Sequence, residues 1–333
     1  MDADWVSPAE SLKYQRPQKE WGWQVAVYLY LAGIGAGALA IGLLMDWLGY
    51  SPYSSRAILL WGPILVAVGA LFLVLKLGIK RRFLNTVMNP RTSWLSRGFY
   101  ILSLCIVIGV VSLGISILPL LGISIDGWSS IVLTLDVIGF IFAIATAAYT
   151  GILIQSVNYV PFWKTSLLPL LFTVSALSTG AMAIILSTYA YDFISYSQGY
   201  SSHMTHMIIN IEQGLIILEA LVLALYLFSR YRAQGGGRNS VRILLSGNLR
   251  LVFWLGIVVA SFFLPTILES LYSRYPDYSF LLLFAGFSVL AGGFFLRFGI
   301  IFAGIKEVHP LGKMIDMQYY EKPLVKTEHK FNL

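Results

Sequence analysis

Apolar runs of about twenty residues recur along the whole chain, and no other feature limits its fold as strongly. Runs of that length cross a bilayer core of roughly 30 Å as helices. In lipid a spanning segment must satisfy its own backbone hydrogen bonds, which a helix does. The pattern predicts spans at about 21–45, 55–79, 97–121, 128–157, 165–189, 204–230, 247–272 and 278–304. The chain therefore reads as all-α, a polytopic membrane protein with eight transmembrane helices in bundles. Residues 1–20 form a polar N-terminal segment, 21–304 the transmembrane domain and 305–333 a polar tail. Only 12% of the residues are charged, against about 25% in a soluble domain. The first twenty residues mix Asp2, Asp4, Glu10, Lys13, Arg16, Lys19 and Glu20, so the first span is expected to act as its own insertion signal.

Local breakers support these boundaries. Gly49-Tyr50-Ser51-Pro52 follows the first span, Asn89-Pro90-Arg91 sits in a basic loop after the second, and Gly235-Gly236-Gly237 reads as a flexible connection after the sixth. Pro265 falls inside the seventh span and predicts a kink. Loop charge predicts orientation. Twenty of the 23 Lys and Arg fall in the terminal segments and the loops on their side, two (Arg56 and Arg274) fall on the other side, and Arg297 lies within a span. The positive-inside rule then puts both termini in the cytoplasm, with the chain in the cell membrane. A basic face of this kind also suits docking of an acidic partner or lipid headgroups. No nucleic-acid-binding motif accompanies it.

Several chemistries are excluded by composition. Cys105 is the one cysteine, so the chain alone makes no disulfide, zinc site or iron–sulfur cluster. Of His203, His206, His309 and His329, only the first two approach a span, and they share one helix. A bis-histidine haem needs facing helices, so neither haem nor metal is expected in this chain. Gly33-Ile34-Gly35-Ala36-Gly37 has no preceding strand and sits mid-span; Gly33 and Gly37, like Gly292 and Gly293, read as close-packing positions between helices.

Ionisable groups inside spans cost roughly 2.5–3.5 kcal/mol each on insertion scales and usually face the bundle interior. Asp136, Glu212, Glu219, Glu269 and Arg297 fall in this class, with Glu269 close to a span end. Tyr28, Tyr149 and Arg297 all lie toward the side of the termini, and Asp136 is thirteen residues from Tyr149, or roughly 20 Å along a helix. An aromatic cluster near one face with acids (Asp136, Glu219 and Glu212) trailing toward the other suits a quinone site with a proton route. A buried ion pair that fixes helix register is the plainer reading of the same acids.

Four segments resemble the membrane subunit of polysulfide reductase and its relatives, the NrfD family. They are Trp21 to Gly37; Arg82-Phe83 with Asn89 to Gly98; Tyr149-Thr150-Gly151 with Pro161-Phe162-Trp163 and Ser175 to Gly180; and Gly292 to Arg297. The resemblance implies an eight-helix subunit without bound metal. It implies exchange of electrons with a quinone of menaquinone type, a docked iron–sulfur (ferredoxin-like) subunit, and a molybdopterin-type catalytic subunit beyond it. The family's quinone-contacting tyrosine matches Tyr149. Positions that hold a histidine and an asparagine in some relatives are Tyr28 and Val25 here, with Gln24 as a substitute contact. The partner is extracytoplasmic in several relatives, which would turn the side of the termini outward.

The mechanism expected from these residues needs hydrogen-bond donors that strengthen as a quinone carbonyl gains charge. Tyr28 and Tyr149 supply hydroxyls, with Gln24 and Arg297 as further quinone contacts. The competing functions are a secondary transporter or ion channel and a purely structural anchor. Paired interrupted helices, the mark of many transporters, are not legible in the sequence.

Overall fold

A computed structural model describes residues 15–50, 56–77, 93–124, 126–195, 202–233 and 235–307. The polar segment up to residue 14, the basic loop 78–92 and the tail from 308, where His309-Pro310 predicts a turn, lie outside the described residues. Helices dominate: α1 (Trp23–Trp47), α2 (Arg56–Leu59), α3 (Gly62–Leu77), α4 (Trp94–Ile117), α5 (Ser129–Gln155), α6 (Leu167–Ser195), α7 (Ser202–Arg232), α8 (Gly236–Leu245), α9 (Leu264–Arg274) and α10 (Phe280–Phe302). The protein is an all-α, multi-pass membrane protein. Among the described residues, seven helical spans are long and apolar enough to cross a membrane. The second expected span, 55–79, is divided into α2 and α3. Pro63 explains the break: it has no N–H, and its ring opposes the carbonyl four residues earlier, so the helix cannot run through Leu60 and Trp61.

Helix α1 is the centre of the molecule. It packs against α3, α5, α6 and α10, and from Val25 to Met45 it is buried on almost every side. Small residues allow this. A Cβ at Gly37 would meet the Ala176 carbonyl of α6, and one at Gly180 would meet the backbone of Gly37, so the two helices touch backbone to backbone. Helix α10 bridges α1 and α6 to the seventh span, and α7 packs along α6.

The seventh span, where Pro265 predicts a kink, is wound as a π-helix over Val252–Phe263 that passes into α9, and the Leu264 N–H donates to the Val259 carbonyl five residues back. In that register the next carbonyl, Ala260, would pair with Pro265, which has no N–H. The Ser288 hydroxyl of α10 donates to the Ala260 carbonyl instead, at 2.6 Å.

Both described ends meet on one side. Strand β1 (Gln15–Pro17) pairs antiparallel with β2 (Ile305–Glu307), with Arg16 opposite Lys306. This pairing requires an even number of crossings, as eight spans do. The Gln18 side chain extends the join, donating to the Ile301 and Trp21 carbonyls at 3.0 and 2.9 Å. Gly235-Gly236-Gly237 is not the flexible connection that its composition predicts. Gly235 takes φ +71°, and the next two glycines open α8, where the Gly236 N–H donates to Glu307. Helix α8 lies on the bundle with Val241 and Leu244 buried and Arg242 exposed. The triple glycine is therefore a packed helix start.

Candidate functional site

Positions three or four apart share one helix face, and three such pairs converge on the side of the termini. Val25, Leu95 and Leu153 line a cavity of about 590 Å³ together with Glu20, Trp21, Leu73, Ser93, Trp94 and Ser156. One turn deeper on the same faces lie Tyr28 on α1, Gly98 on α4 and Tyr149 on α5. A Cβ at Gly98 would fall within the Tyr149 ring, so glycine there admits the ring. Ser93 fixes the start of α4 by accepting a hydrogen bond from the Ser96 N–H.

The two hydroxyls define the chemistry below the cavity. Tyr28 and Tyr149 are both buried, and neither hydroxyl has a hydrogen-bond partner among the described residues. They lie near enough to interact electrostatically. A buried unpaired donor costs about 1–3 kcal/mol, so two together fit a ligand that brings two acceptors or one shared acceptor. The walls above are aromatic and aliphatic, and the volume is within the roughly 300–1,000 Å³ of small-molecule pockets.

Other expected contacts are placed differently. Gln24 is half-buried and outside the cavity lining. Arg297 is fully buried behind Tyr28, also outside the lining. Its Nε donates to the Leu29 carbonyl at 3.2 Å, and its Nη1 donates to the Ser175 hydroxyl at 3.1 Å and the Gly293 carbonyl at 2.8 Å. A Cβ at Gly33 would stand 2.6 Å from its Nη2, so Gly33 makes room for the guanidinium. Glu20, Trp21, Ser93, Trp94 and Ser156 were not legible as lining residues, because they come from separate segments with no common period.

A polar row leaves Arg297 for the opposite face. Ser175, which accepts from Arg297, also adjoins Glu219 of α7. One turn along α6, the Ser178 hydroxyl donates to Glu212 at 3.2 Å. Glu212 lies against Glu269 of α9, which also adjoins Gln213. Glu269 is completely buried, and neither of its oxygens meets hydrogen-bond geometry. Although it is close to the end of its span, packing seals it against Glu212 of α7. Beyond it, His206 lies 6.0 Å from the Tyr272 ring, and His203 stacks on Tyr50 at 5.3 Å.

Asp136 belongs to a separate group. It is ion-paired with Arg56 at the start of α2, and the Arg56 Nε lies 3.2 Å from Asp46 at the end of α1. No described contact joins Asp136 to Glu219 or Glu212. Breaking a buried pair by removing one partner costs roughly 3–5 kcal/mol, and Asp46 remains to hold Arg56. Asp136→Asn should therefore lower the thermal midpoint of the purified protein by several degrees. An unchanged midpoint would contradict this assignment.

The family model described as polysulphide reductase, NrfD matches residues 12–309. The polysulfide reductase C subunit of Wolinella succinogenes is 28% identical over 312 residues, covering 85% of this chain and 94% of that protein. Protein NrfD of Escherichia coli is 29% identical over 305 residues, covering 85% of this chain and 94% of its own length. The NrfD homolog of Haemophilus influenzae is 27% identical over 326 residues, with 87% and 96% covered.

Proposed function

The chain belongs to the polysulphide reductase NrfD family, and from that membership and its paired tyrosines we propose that it is the quinone-reactive membrane subunit of a respiratory oxidoreductase complex. One observation carries the reading. Two buried tyrosine hydroxyls, near enough to interact and without partners among the described residues, lie under a cavity of about 590 Å³ walled by tryptophan and aliphatic side chains. A menaquinone-type headgroup is flat, apolar and edged by carbonyls, so it matches both the walls and the donors. Tyr149 donates to one quinone carbonyl and Tyr28 lies beside it, while Trp21 and Trp94 flank the ring. Arg297 holds the backbone behind Tyr28 in place.

Electrons pass between the bound quinone and an iron–sulfur, ferredoxin-like subunit docked on the termini side, with a molybdopterin-type catalytic subunit beyond. The Wolinella relative bears the name of one subunit of a polysulfide reductase, which supports a complex of several subunits. The twenty-to-two charge bias supports cytoplasmic termini. Protons move along Glu219, Glu212 and Glu269 toward the opposite face, the last two sharing a proton, because like charges so close in a low-dielectric interior repel strongly.

Tryptophan fluorescence tests the pocket directly, since Trp21 and Trp94 line it. A short-chain naphthoquinone should quench the purified protein saturably. Val25→Phe, which drives a ring into the cavity, should weaken that binding by about fivefold to a hundredfold, given the 1–3 kcal/mol that overpacking costs. A wild-type protein that shows no saturable quenching overturns the reading.

A further inference from the structure

We infer that Glu20 is the group that takes the proton from the bound quinol and passes it to water on the termini side. The inference rests on the quinone reading above and assigns the route of one product of that reaction. Of the nine residues lining the cavity, Glu20 is the one ionisable group; the others are tryptophan, aliphatic side chains and serine. It stands at the mouth, just before α1, and its side chain is 48% exposed. One carboxylate therefore has access both to the cavity and to solvent.

The surrounding residues hold that carboxylate ready to accept. Glu20 Oε1 accepts from the Lys306 ammonium at 2.7 Å, and Oε2 accepts from the Lys19 N–H at 3.2 Å. Lys306 is carried by β2, and its Nζ lies 5.1 Å from the centre of the Tyr159 ring. The Tyr159 hydroxyl accepts from the Trp21 indole at 3.0 Å, and the Tyr159 carbonyl accepts from the Glu307 N–H at 2.9 Å. The terminal strand pair and the 156–166 loop thus position the acid over the cavity. Other charged residues flank this mouth: Lys19 adjoins Glu20, Arg16 and Glu307 lie on the strand pair with Lys306, and the Arg97 guanidinium lies 4.6 Å from the Trp94 ring centre.

The electrostatic consequence has a definite sign. The hydrogen bond from Lys306 holds the Glu20 carboxyl below the usual carboxylate range, against the opposing effect of partial burial. At neutral pH the group is ionised, so it accepts protons and has none to donate. Oxidation of quinol releases two electrons and two protons. The electrons leave to the iron–sulfur partner; one proton converts the Glu20 carboxylate to the acid, which then loses it to water, and the other enters the row that begins at Glu219. Tyr28 and Tyr149 lie a turn deeper, so they hold the ring while Glu20 clears its proton.

The test compares Glu20→Gln with wild type in membranes containing the whole complex. Quinol oxidation at neutral pH should fall about a hundredfold, the low end of general-base contributions, with naphthoquinone binding unchanged. Added acetate or imidazole should restore turnover in a concentration-dependent way, because both can reach the half-exposed mouth. Lys306→Met should move the acid limb of the pH profile to higher pH. Unaltered turnover in Glu20→Gln overturns the inference, and so does a loss of turnover that no small base restores. If wild type itself fails to bind the naphthoquinone, the quinone reading fails instead.

Discussion

Tyr149→Phe should assemble normally and bind a quinone analogue within about tenfold of wild type, yet turn over quinol about a hundredfold more slowly. Phenylalanine keeps the ring that fills the hollow at Gly98, so packing between α4 and α5 is retained. What is removed is a hydroxyl that has no partner among the described residues. A neutral hydrogen bond to a ground-state carbonyl is worth about 0.5–1.5 kcal/mol, which limits the loss of affinity to roughly tenfold. A donor aimed at developing negative charge is worth more, about 2.7–4 kcal/mol or 10²–10³ in rate. The ratio of the two effects is the diagnostic quantity. Steady-state quinol oxidation and analogue binding, measured on the same membranes, give it. Equal losses of binding and turnover would make Tyr149 a packing residue, and unchanged kinetics would remove it from the site.

Glu219→Gln and Glu212→Gln should each abolish proton movement across the membrane while leaving quinone binding intact. Glutamine keeps the shape and the contacts with Ser175 and Ser178, but it cannot carry a proton. The acids occupy one face of α7, two turns apart, between Arg297 near one side and Glu269 near the other. A single break stops a row in which each member hands its proton to the next. Complexes reconstituted in vesicles with a pH-sensitive dye report the outcome. Proton uptake should fall to the background of vesicles without quinol. Asp136→Asn should behave like wild type in that assay, because Asp136 is held by Arg56 in a different part of the bundle. Full proton uptake in both glutamate variants would make the row structural.

Much of the architecture is legible in the chain itself, and particular residues show where legibility ends. Pro63 is readable as a breaker, but the division of the second span into α2 and α3 also needs α1 beside it. The Gly35 and Gly62 backbones meet there so closely that a Cβ at Gly35 would strike the Gly62 carbonyl. Pro265 signals a disturbed helix; that the disturbance takes the form of a π-helix with Ser288 supplying the missing donor depends on α10. The triple glycine misleads, because Glu307 from the other end of the chain converts it into a helix start. Glu269 is legible as an in-span acid, but that Glu212 of α7 lies against it depends on how the helices pack.

The run of membrane-length apolar helices and the shared side of the two described ends are set by the sequence alone. Crossing lipid is a local requirement, met by each apolar run through its own backbone hydrogen bonds. Which side chains face one another was decided only in three dimensions. A soluble helix marks its inner face with an apolar stripe. Here lipid is as apolar as the interior, so helices such as α1 and α5 carry no such mark and pack through shape and small residues. Tyr28 beside Tyr149, Arg56 on Asp136 and Glu212 against Glu269 each join helices far apart in the chain. Their rotation about their own axes is set by backbone contacts such as Gly37 with Ala176, and no run of residues read singly encodes that phase.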